Sequence, residues 1–389
     1  MSVTAPPGFV AAAGSAGLKA GGGPDIAVVA TAEGRPVPAA GVFTTNRAAA
    51  APVQVSRANL RSTGGRAAAV VLTAGNANAA TGPPGRRAAG RLCQLVAAGI
   101  GAAEEEVLVC QTGLIGVPFP IEAVEPALPA IVASRAGGPE AAAAAAAAIM
   151  TTDTVPKGVV IARDGYTVGG MAKGAAMLAP DMATMLAVLT TDAEVEPAVL
   201  HSALASSVSG SFGAITVDGC TSTNDTVLAL ASGTGGSPSL RELTAAFAEA
   251  CRSLASQMVA DAEGATKVAR IEVRGARTHV EAHAAARKVA GSLLVKCSLN
   301  GEDPYWGRVV SELGSAGVAF ELDRVMISYG STVVCRGGVA APHDASAVTD
   351  HMAGRHVEIT CDLGLGPGVA VVLGTDLGYG YLDENRTTS

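Results

Sequence analysis

Aromatic side chains are scarce in this chain: Phe, Tyr and Trp make up 3% of 389 residues, with one Trp, although 49% are hydrophobic. A core must therefore be built mainly from Ala, Val, Leu and Ile on a backbone carrying 48 glycines. No uninterrupted apolar run approaches the roughly 18–20 residues that a membrane helix requires, and the longest low-polarity stretch, 141–149, is mostly alanine. The N-terminal residues show no basic segment followed by an apolar one, so neither a membrane partner nor secretion is expected. The seven cysteines are scattered, odd in number and without a Cys-x-x-Cys pair, which suits reduced thiols in a cytoplasm better than disulfides or zinc. Lys and Arg form no block of five, and the formal net charge is −7, which argues against a nucleic-acid partner and leaves a small polar substrate. A balance of this size mainly keeps a protein in solution. Gly-x-Ser-x-Gly elbows, Walker loops and a Gly-x-Gly-x-x-Gly after a strand are missing too, which removes the standard serine-hydrolase, nucleotide and dinucleotide readings. His279-x3-His283 has metal-compatible spacing but no Glu base or third ligand nearby, so no metal is assigned.

What the chain does contain is a series of short apolar runs separated by Gly-rich turns, interspersed with helical periodicities. Residues 1–60 read as short strands, notably 26–32 and 40–45. The run 66–73 reads as a strand, a polar loop follows over 74–82, and 86–98 has helical spacing. Residues 107–110 read as a strand ending in the turn Gln111-Thr-Gly-Leu-Ile-Gly116, and the alanine-rich 141–148 as a helix ended by Thr151-Thr-Asp153. Asp164-Gly165 is a two-residue hairpin signal between strands 159–163 and 166–170. Helices over 200–209, 240–259 and 281–289 alternate with strands at 215–217, 226–230 and 268–273, and 318–375 reads as short strands. Such alternation predicts a mixed α/β protein with layered sheets flanked by helices. At 389 residues, two subdomains or one large layered domain are expected.

One stretch stands out. Gly-rich chain carrying Lys173 runs into Pro180-Asp181 and then into an apolar, partly β-branched run centred on Thr184. Around it lie residues with two readings each. The Gly of 111–116 frames either an ordinary strand-to-helix turn or backbone N–H groups aimed at a developing negative charge. On local grounds Thr151 caps a turn, Glu263, beside Gly264, caps or solvates a helix end, and the loop Thr73-Ala-Gly-Asn-Ala-Asn78 is a turn with Asn at positive φ; the second, substrate-facing reading of each comes from a family resemblance.

The run Lys173-Gly-x-x-Met-x-x-Pro-x-x-Ala-Thr-x-Leu186 resembles the self-cleavage segment of the ornithine acetyltransferase family, which are glutamate N-acetyltransferases of arginine biosynthesis. Other stretches resemble that family in the same order: Thr112-Gly-Leu-Ile-Gly116, Thr151-Thr-Asp153, Asp261-Ala-Glu-Gly-Ala-Thr-Lys267, Ser292-Leu-Leu-Val-Lys296, Gly301-Glu-Asp-Pro-Tyr-Trp-Gly-Arg308 and the tail from Tyr381 to Ser389. Three departures are visible: Thr73 and Tyr305 each stand where the family has Asn, and the tail is one residue short after Asn385 and lacks a Tyr. The resemblance implies the family's layered sheets, built from both halves of a chain cleaved between Ala183 and Thr184. The halves are 1–183, an α chain with the oxyanion turn and Lys173, and 184–389, a β chain beginning with the nucleophile. It implies Thr112 and Gly113 as oxyanion donors, with Thr151, Lys173, Thr184, Glu263, Asn385 and a terminal hydroxyl, Thr388 or Ser389, at the substrate.

By that resemblance, Thr184 attacks the Ala183 carbonyl, the resulting ester is hydrolysed, and the freed α-amino group, with a reference pKa of about 7.7–8.0, serves as base to its own hydroxyl. N-acetylornithine then acetylates Thr184, and glutamate takes the acetyl group. The resemblance also implies that no cofactor or metal is needed, that acetyl-CoA is a possible second donor, and that two α and two β chains form a heterotetramer in the cytoplasm. Two competing readings remain: an N-terminal-nucleophile aminopeptidase or amidase with water as acceptor, and an uncleaved, non-enzymatic binding protein. The mature protein is expected as two chains of about 183 and 206 residues by the resemblance, with Thr184→Ala uncut and inactive because both steps use one oxygen. Intact-mass analysis of freshly folded protein decides this; a single full-length species means the cleavage reading is wrong.

Overall fold

The computed structural model describes residues 2–176 and 185–386; Ala183, Thr184, Thr388 and Ser389 lie outside the described residues. Three sheets carry the fold. A four-stranded sheet has the order Phe9–Gly14, Ile26–Thr31, Ala69–Asn76 and Val107–Leu114, antiparallel except for the last, parallel pair. A six-stranded sheet has the order Arg66–Ala67, Val37–Phe43, Thr226–Ala231, Leu186–Thr191, Tyr166–Lys173 and Lys157–Arg163. Within it, 186–191 runs parallel to 226–231 and antiparallel to 166–173. Its strands thus come from both sides of the 183–184 bond.

These two sheets stack face to face, and period-2 alternation sorts their side chains. Val70, Leu72, Leu108 and Cys110 of the first meet Met171, Leu186, Val188, Leu228 and Leu230 of the second in one core. The residues between them point outward on each side. Ala69, Val71, Val107 and Val109 pack on Leu92, Cys93 and Val96 of helix Gly82–Ile100. Ala187, Leu189, Val227 and Ala229 pack on Leu200 and Leu204 of helix Pro197–Ser209 and on Leu243, Phe247 and Leu254 of helix Leu240–Ala260. The result is a helix–sheet–sheet–helix sandwich. Because both faces of the strands are covered, they read as continuous apolar runs, as 69–72 and 186–189 do. The alanine helix Pro139–Ala148 puts Ala142, Ala145, Ala146 and Ala148 into the core between the sheets, where side chains this small allow close approach.

The seven-stranded sheet, in the order 215–216, 368–375, 268–276, 356–362, 326–329, 332–336 and 339–340, is one-sided. Its strands alternate, for example buried and exposed along His356–Asp362, with one face under helix His279–Ala290. Among the described residues no helix is long and apolar enough to cross a membrane.

The layered α/β expectation holds, with local corrections. Residues 1–60 are not all strands: Ala51–Ser62 is a helix. Val53 and Val55 alternate like a strand, but Pro52 in the first turn starts a helix, and the buried set Ala51, Pro52, Val53 and Ser56 lies on one face. Likewise 318–375 contains the helix Ala345–Ala353, begun by Asp344, whose carboxylate accepts the Ser346 and Ala347 N–H groups. The expected turn at 111–116 is for its first half a continued strand, paired from Thr112↔Ala74 to Leu114↔Asn76.

The C-terminal helix Tyr379–Glu384 rests on the turn at Gly264, whose φ is +60°. A Cβ there would lie 2.1 Å from the Tyr381 nitrogen. Gly264→Ala is therefore expected to lift this helix, raising amide hydrogen exchange over 379–386 by about tenfold or more through local opening. Unchanged exchange would show that the helix is held by other contacts.

Candidate active site

The organising side chain is Lys173, the last residue of its strand and 2% exposed. A buried ammonium must be paired or lose its charge. Its Nζ donates to Thr151 Oγ1 at 2.7 Å and Thr112 Oγ1 at 3.2 Å, and lies 3.9 Å from Asp153 Oδ2. Burial pushes its pKa down and Asp153 pulls against that. Because an ammonium only donates, both threonine hydroxyls accept from Lys173, and each keeps its own hydrogen to offer elsewhere. Lys173 thus turns Thr112 and Thr151 into donors.

Thr112 arrives from the four-stranded sheet and Lys173 from the six-stranded one. The strand Val107–Leu114 is an edge strand whose odd residues face outward: the Ser56 hydroxyl bonds the Val109 N–H and C=O, and the Gln111 C=O accepts from Asn224. By the alternation of a strand, Gly113 is the next residue whose N–H faces that edge. Gly113 has φ +128°, and a Cβ on it would fall 2.2 Å from the Gly75 carbonyl carbon. Only glycine brings these two strands so close. The hydroxyl of Thr112 and the N–H of Gly113 form a pair of donors at one strand end, suited to a developing oxyanion.

Thr151 follows the alanine helix, its N–H bonded to Asp153 Oδ2 at 3.1 Å. Asp153 is the hub beneath: it also accepts from the Gly174 N–H at 2.7 Å and from Lys157 Nζ at 2.6 Å. Burial would raise its pKa, but Lys173, Lys157 and the Gly174 N–H hold it below the ordinary value. Lys157, 1% exposed, bridges to Asp261 at 2.6 Å, and Asp261 also receives the Thr154 N–H and hydroxyl. Two residues on, the Glu263 N–H donates to the Ala175 carbonyl at 3.0 Å. The Glu263 carboxylate accepts from Asn385 Nδ2 at 2.8 Å and, like Asp153, works against the lowering of the Lys173 pKa by burial.

Thr112, Thr151 and Lys173 are therefore directly joined, and Glu263 and Asn385 are joined to each other. Thr184 and Ala183, the expected nucleophile and cleavage partner, lie outside the described residues, as does Ser389. Their covalent neighbourhood does not: Leu186 pairs with Lys173 across the strands, and the Met185 N–H donates to Asp225 Oδ1 at 3.0 Å. Sequence reasoning did not single out Asp153, Lys157, Asp261 or Asp225. The signals were local: Asp153 and Asp261 stand at the ends of the motifs that carry Thr151 and Glu263, Lys157 stands four residues after Asp153, and a polar loop runs straight into an apolar strand at 226.

The expected loop at 74–82 is strand as far as Asn76, and the chain turns only after it. Asn78 has φ +49° and is fully buried, its amide donating to the Gly85 carbonyl and to Gln111 Oε1. Tyr305 is exposed and Trp306 packs on the core of the seven-stranded sheet. Among the described residues no three His, Cys, Asp or Glu side chains are grouped to hold a metal ion. His279 Nδ1 lies 2.6 Å from the Val369 carbonyl.

Residues 10–387 match the ArgJ family. The chain is 46% identical over 394 residues to the arginine biosynthesis bifunctional protein ArgJ of Mycobacterium leprae, covering 100% of this chain and 95% of that protein. It is 45% identical over 392 residues to the protein of the same name in Streptomyces coelicolor, each covered in full. Among solved structures it is similar to ornithine acetyltransferase complexed with ornithine from Mycobacterium tuberculosis, with 44% identity, a TM-score of 0.44, and coverage of 46% of this chain and 94% of that one. It is also similar to the argJ protein of Bacillus halodurans, with 33% identity, a TM-score of 0.49, and coverage of 51% and 96%.

The two buried lysines are expected to respond oppositely to the same change. Lys173→Met leaves Asp153 paired with Lys157, so stability is expected to stay within about 1 kcal/mol while turnover falls roughly 10²–10³-fold. Lys157→Met strips Asp153 and Asp261 of their shared cation and is expected to cost about 3–5 kcal/mol. Urea denaturation with parallel kinetics separates them; equal destabilisation would make Lys173 a structural residue.

Proposed function

The chain belongs to the ArgJ family, and on that footing we propose that it is a glutamate N-acetyltransferase of arginine biosynthesis, moving acetyl from N2-acetyl-L-ornithine to L-glutamate through an acetylated Thr184. The observation that carries the reading is the Lys173 junction. One buried cation holds Thr112 and Thr151 as donors, opposite the strand that begins just after Thr184.

The chain first makes its own catalyst. Thr184 Oγ attacks the Ala183 carbonyl carbon; the new C–O bond replaces the C–N bond, and the hydroxyl proton passes to the released nitrogen. Water then hydrolyses the ester, leaving a carboxylate on Ala183 and a free amine on Thr184. That amine takes the hydroxyl proton in each later attack. When Thr184 attacks the acetyl carbonyl of N-acetylornithine, the Thr112 hydroxyl and Gly113 N–H receive the oxyanion, an effect worth about 3–4 kcal/mol per donor. The amide C–N bond breaks, the proton goes to the leaving amine, and ornithine departs. The glutamate amine attacks the acetyl-threonine by the same path reversed. Glu263, turned by Asn385, pairs with the cationic amine of the substrate, and Thr151 and Lys173 face its polar backbone groups.

The two chains, 1–183 and 184–389, remain joined because both contribute strands to the six-stranded sheet. Assembly of two α and two β chains and a cytoplasmic location belong to the same reading. Acetyl-CoA as a further donor is a separable activity, read by replacing N-acetylornithine in the assay.

Ornithine release from N-acetylornithine is expected to depend on added glutamate, giving parallel lines in double-reciprocal plots, as ping-pong transfer requires. Acetate formed at the same rate without any amino-acid acceptor would favour the aminopeptidase or amidase reading. Glu263→Gln is expected mainly to raise KM, since its attraction acts in ground and transition states alike; a fall in kcat alone would contradict that role.

A further inference from the structure

The donors at Thr112 and Gly113 and the strand that starts after Thr184 belong to different sheets. A hydrogen-bonded ladder sets register within a sheet, whereas stacked sheets touch only through side chains and can slide by fractions of an ångström. Yet acyl transfer needs nucleophile and oxyanion donors held to within about 0.5 Å. Besides the Lys173–Thr112 bond between side chains, something must tie the two strand backbones together at this point.

Two consecutive residues do so. Asn224 and Asp225 precede the strand Thr226–Ala231 of the six-stranded sheet and are 3% and 0% exposed. Asn224 spends both amide hydrogens across the gap. Its Nδ2 donates to the Ala77 carbonyl at 2.6 Å and to the Gln111 carbonyl at 2.8 Å, the residue directly before Thr112. Asp225 turns the other way, its Oδ1 accepting the N–H of Met185, the residue directly after Thr184. The pair is anchored from behind: the Thr44 N–H donates to the Asp225 carbonyl at 2.9 Å, and the Thr44 hydroxyl to the Ser222 carbonyl at 2.7 Å. The Ala50 N–H holds the Thr223 carbonyl at 2.9 Å.

We propose that Asn224 and Asp225 form a positioning clamp that fixes the oxyanion strand and the nucleophile strand relative to each other. This rests on the reading of Thr184 as nucleophile. Neither residue touches substrate in this scheme: Asn224 acts through the Gln111–Thr112–Gly113 backbone and Asp225 through the Met185 amide. The Asp225 contact to the Met185 N–H needs one oxygen acceptor, which an amide oxygen supplies as a carboxyl oxygen does.

The test compares isosteric with truncating changes in the full chain. It reads the first-order rate of precursor cleavage on a denaturing gel, then kcat and KM for N-acetylornithine in the cleaved protein. Asn224→Asp keeps the shape but cannot donate, and is expected to slow both cleavage and kcat by about 10²-fold, with KM within about threefold. Asp225→Ala is expected to do the same. Asp225→Asn retains the acceptor and is expected to restore both rates to within about threefold of wild type. The clamp is overturned if Asn224→Asp cleaves and turns over at the wild-type rate, or if Asp225→Asn is as slow as Asp225→Ala, which would assign the carboxyl a proton or a charge. It is equally overturned if Asn224→Asp loses the wild-type melting transition, which makes Asn224 a folding residue. If wild-type protein itself stays uncut, the Thr184 reading fails first; if wild type cleaves and the variants match it, only the clamp fails.

Discussion

A lysine ammonium with almost no solvent is the constraint around which this site is arranged. Lys173 loses its hydration at the end of its strand and recovers partners only where two other segments converge: Thr112 from the neighbouring sheet, and Thr151 and Asp153 from the loop after the alanine helix. Satisfying one buried cation therefore brings together pieces of chain up to 61 residues apart. The same bonds orient two hydroxyls, since a donor-only partner leaves each with a hydrogen to give. The pairing that buries the charge is thus also what aims the two hydroxyls.

Charge is then relayed outward in alternating sign. Asp153 stands between Lys173 and Lys157, and Lys157 between Asp153 and Asp261. Each ion is buried at a cost that its neighbours offset, so the network holds as a set and weakens when a shared member is removed. Asp261 ends the long helix 240–260, and the turn that follows presents Glu263. The residue expected at the substrate's amine is thus carried on the network that seats Lys173. Gly264 in that same turn admits the C-terminal helix and, with it, Asn385.

The sandwich explains why so few aromatic residues suffice. Alanine and valine on both faces of two stacked sheets give thin, closely fitting layers, and the alanine helix slides in beside them where a larger side chain would not fit. Close approach recurs at the site itself, where Gly75 and Gly113 let two parallel strands touch at backbone distance. A thin core leaves polar groups within reach across layers, so Asn224 can span from one sheet to the carbonyls of the other.

Much was legible in the linear order of residues. Continuous apolar runs announced doubly covered strands, Asp164-Gly165 announced its hairpin, and the ordered motifs around Lys173, Thr112, Thr151 and Glu263 named the family and its chemistry. Those signals are local: a periodicity, a turn residue, a spacing within one segment. The helix at 51–62 escaped because Val53 and Val55 alternate, and which face is buried depends on the neighbours that cover it. The strand through Thr112 and Gly113 was mistaken for a turn because glycine at positive φ usually ends a strand, whereas here a partner glycine across the ladder continues it. Asp153 and Asp261 stood only as the ends of motifs read for Thr151 and Glu263, and Lys157, Asn224 and Asp225 in no motif at all, so local spacing assigned none of them a role. Their roles arise from pairings across 104, 113 and 40 positions of chain, and burial decides them, because only after water is excluded must each charge and amide find its one partner.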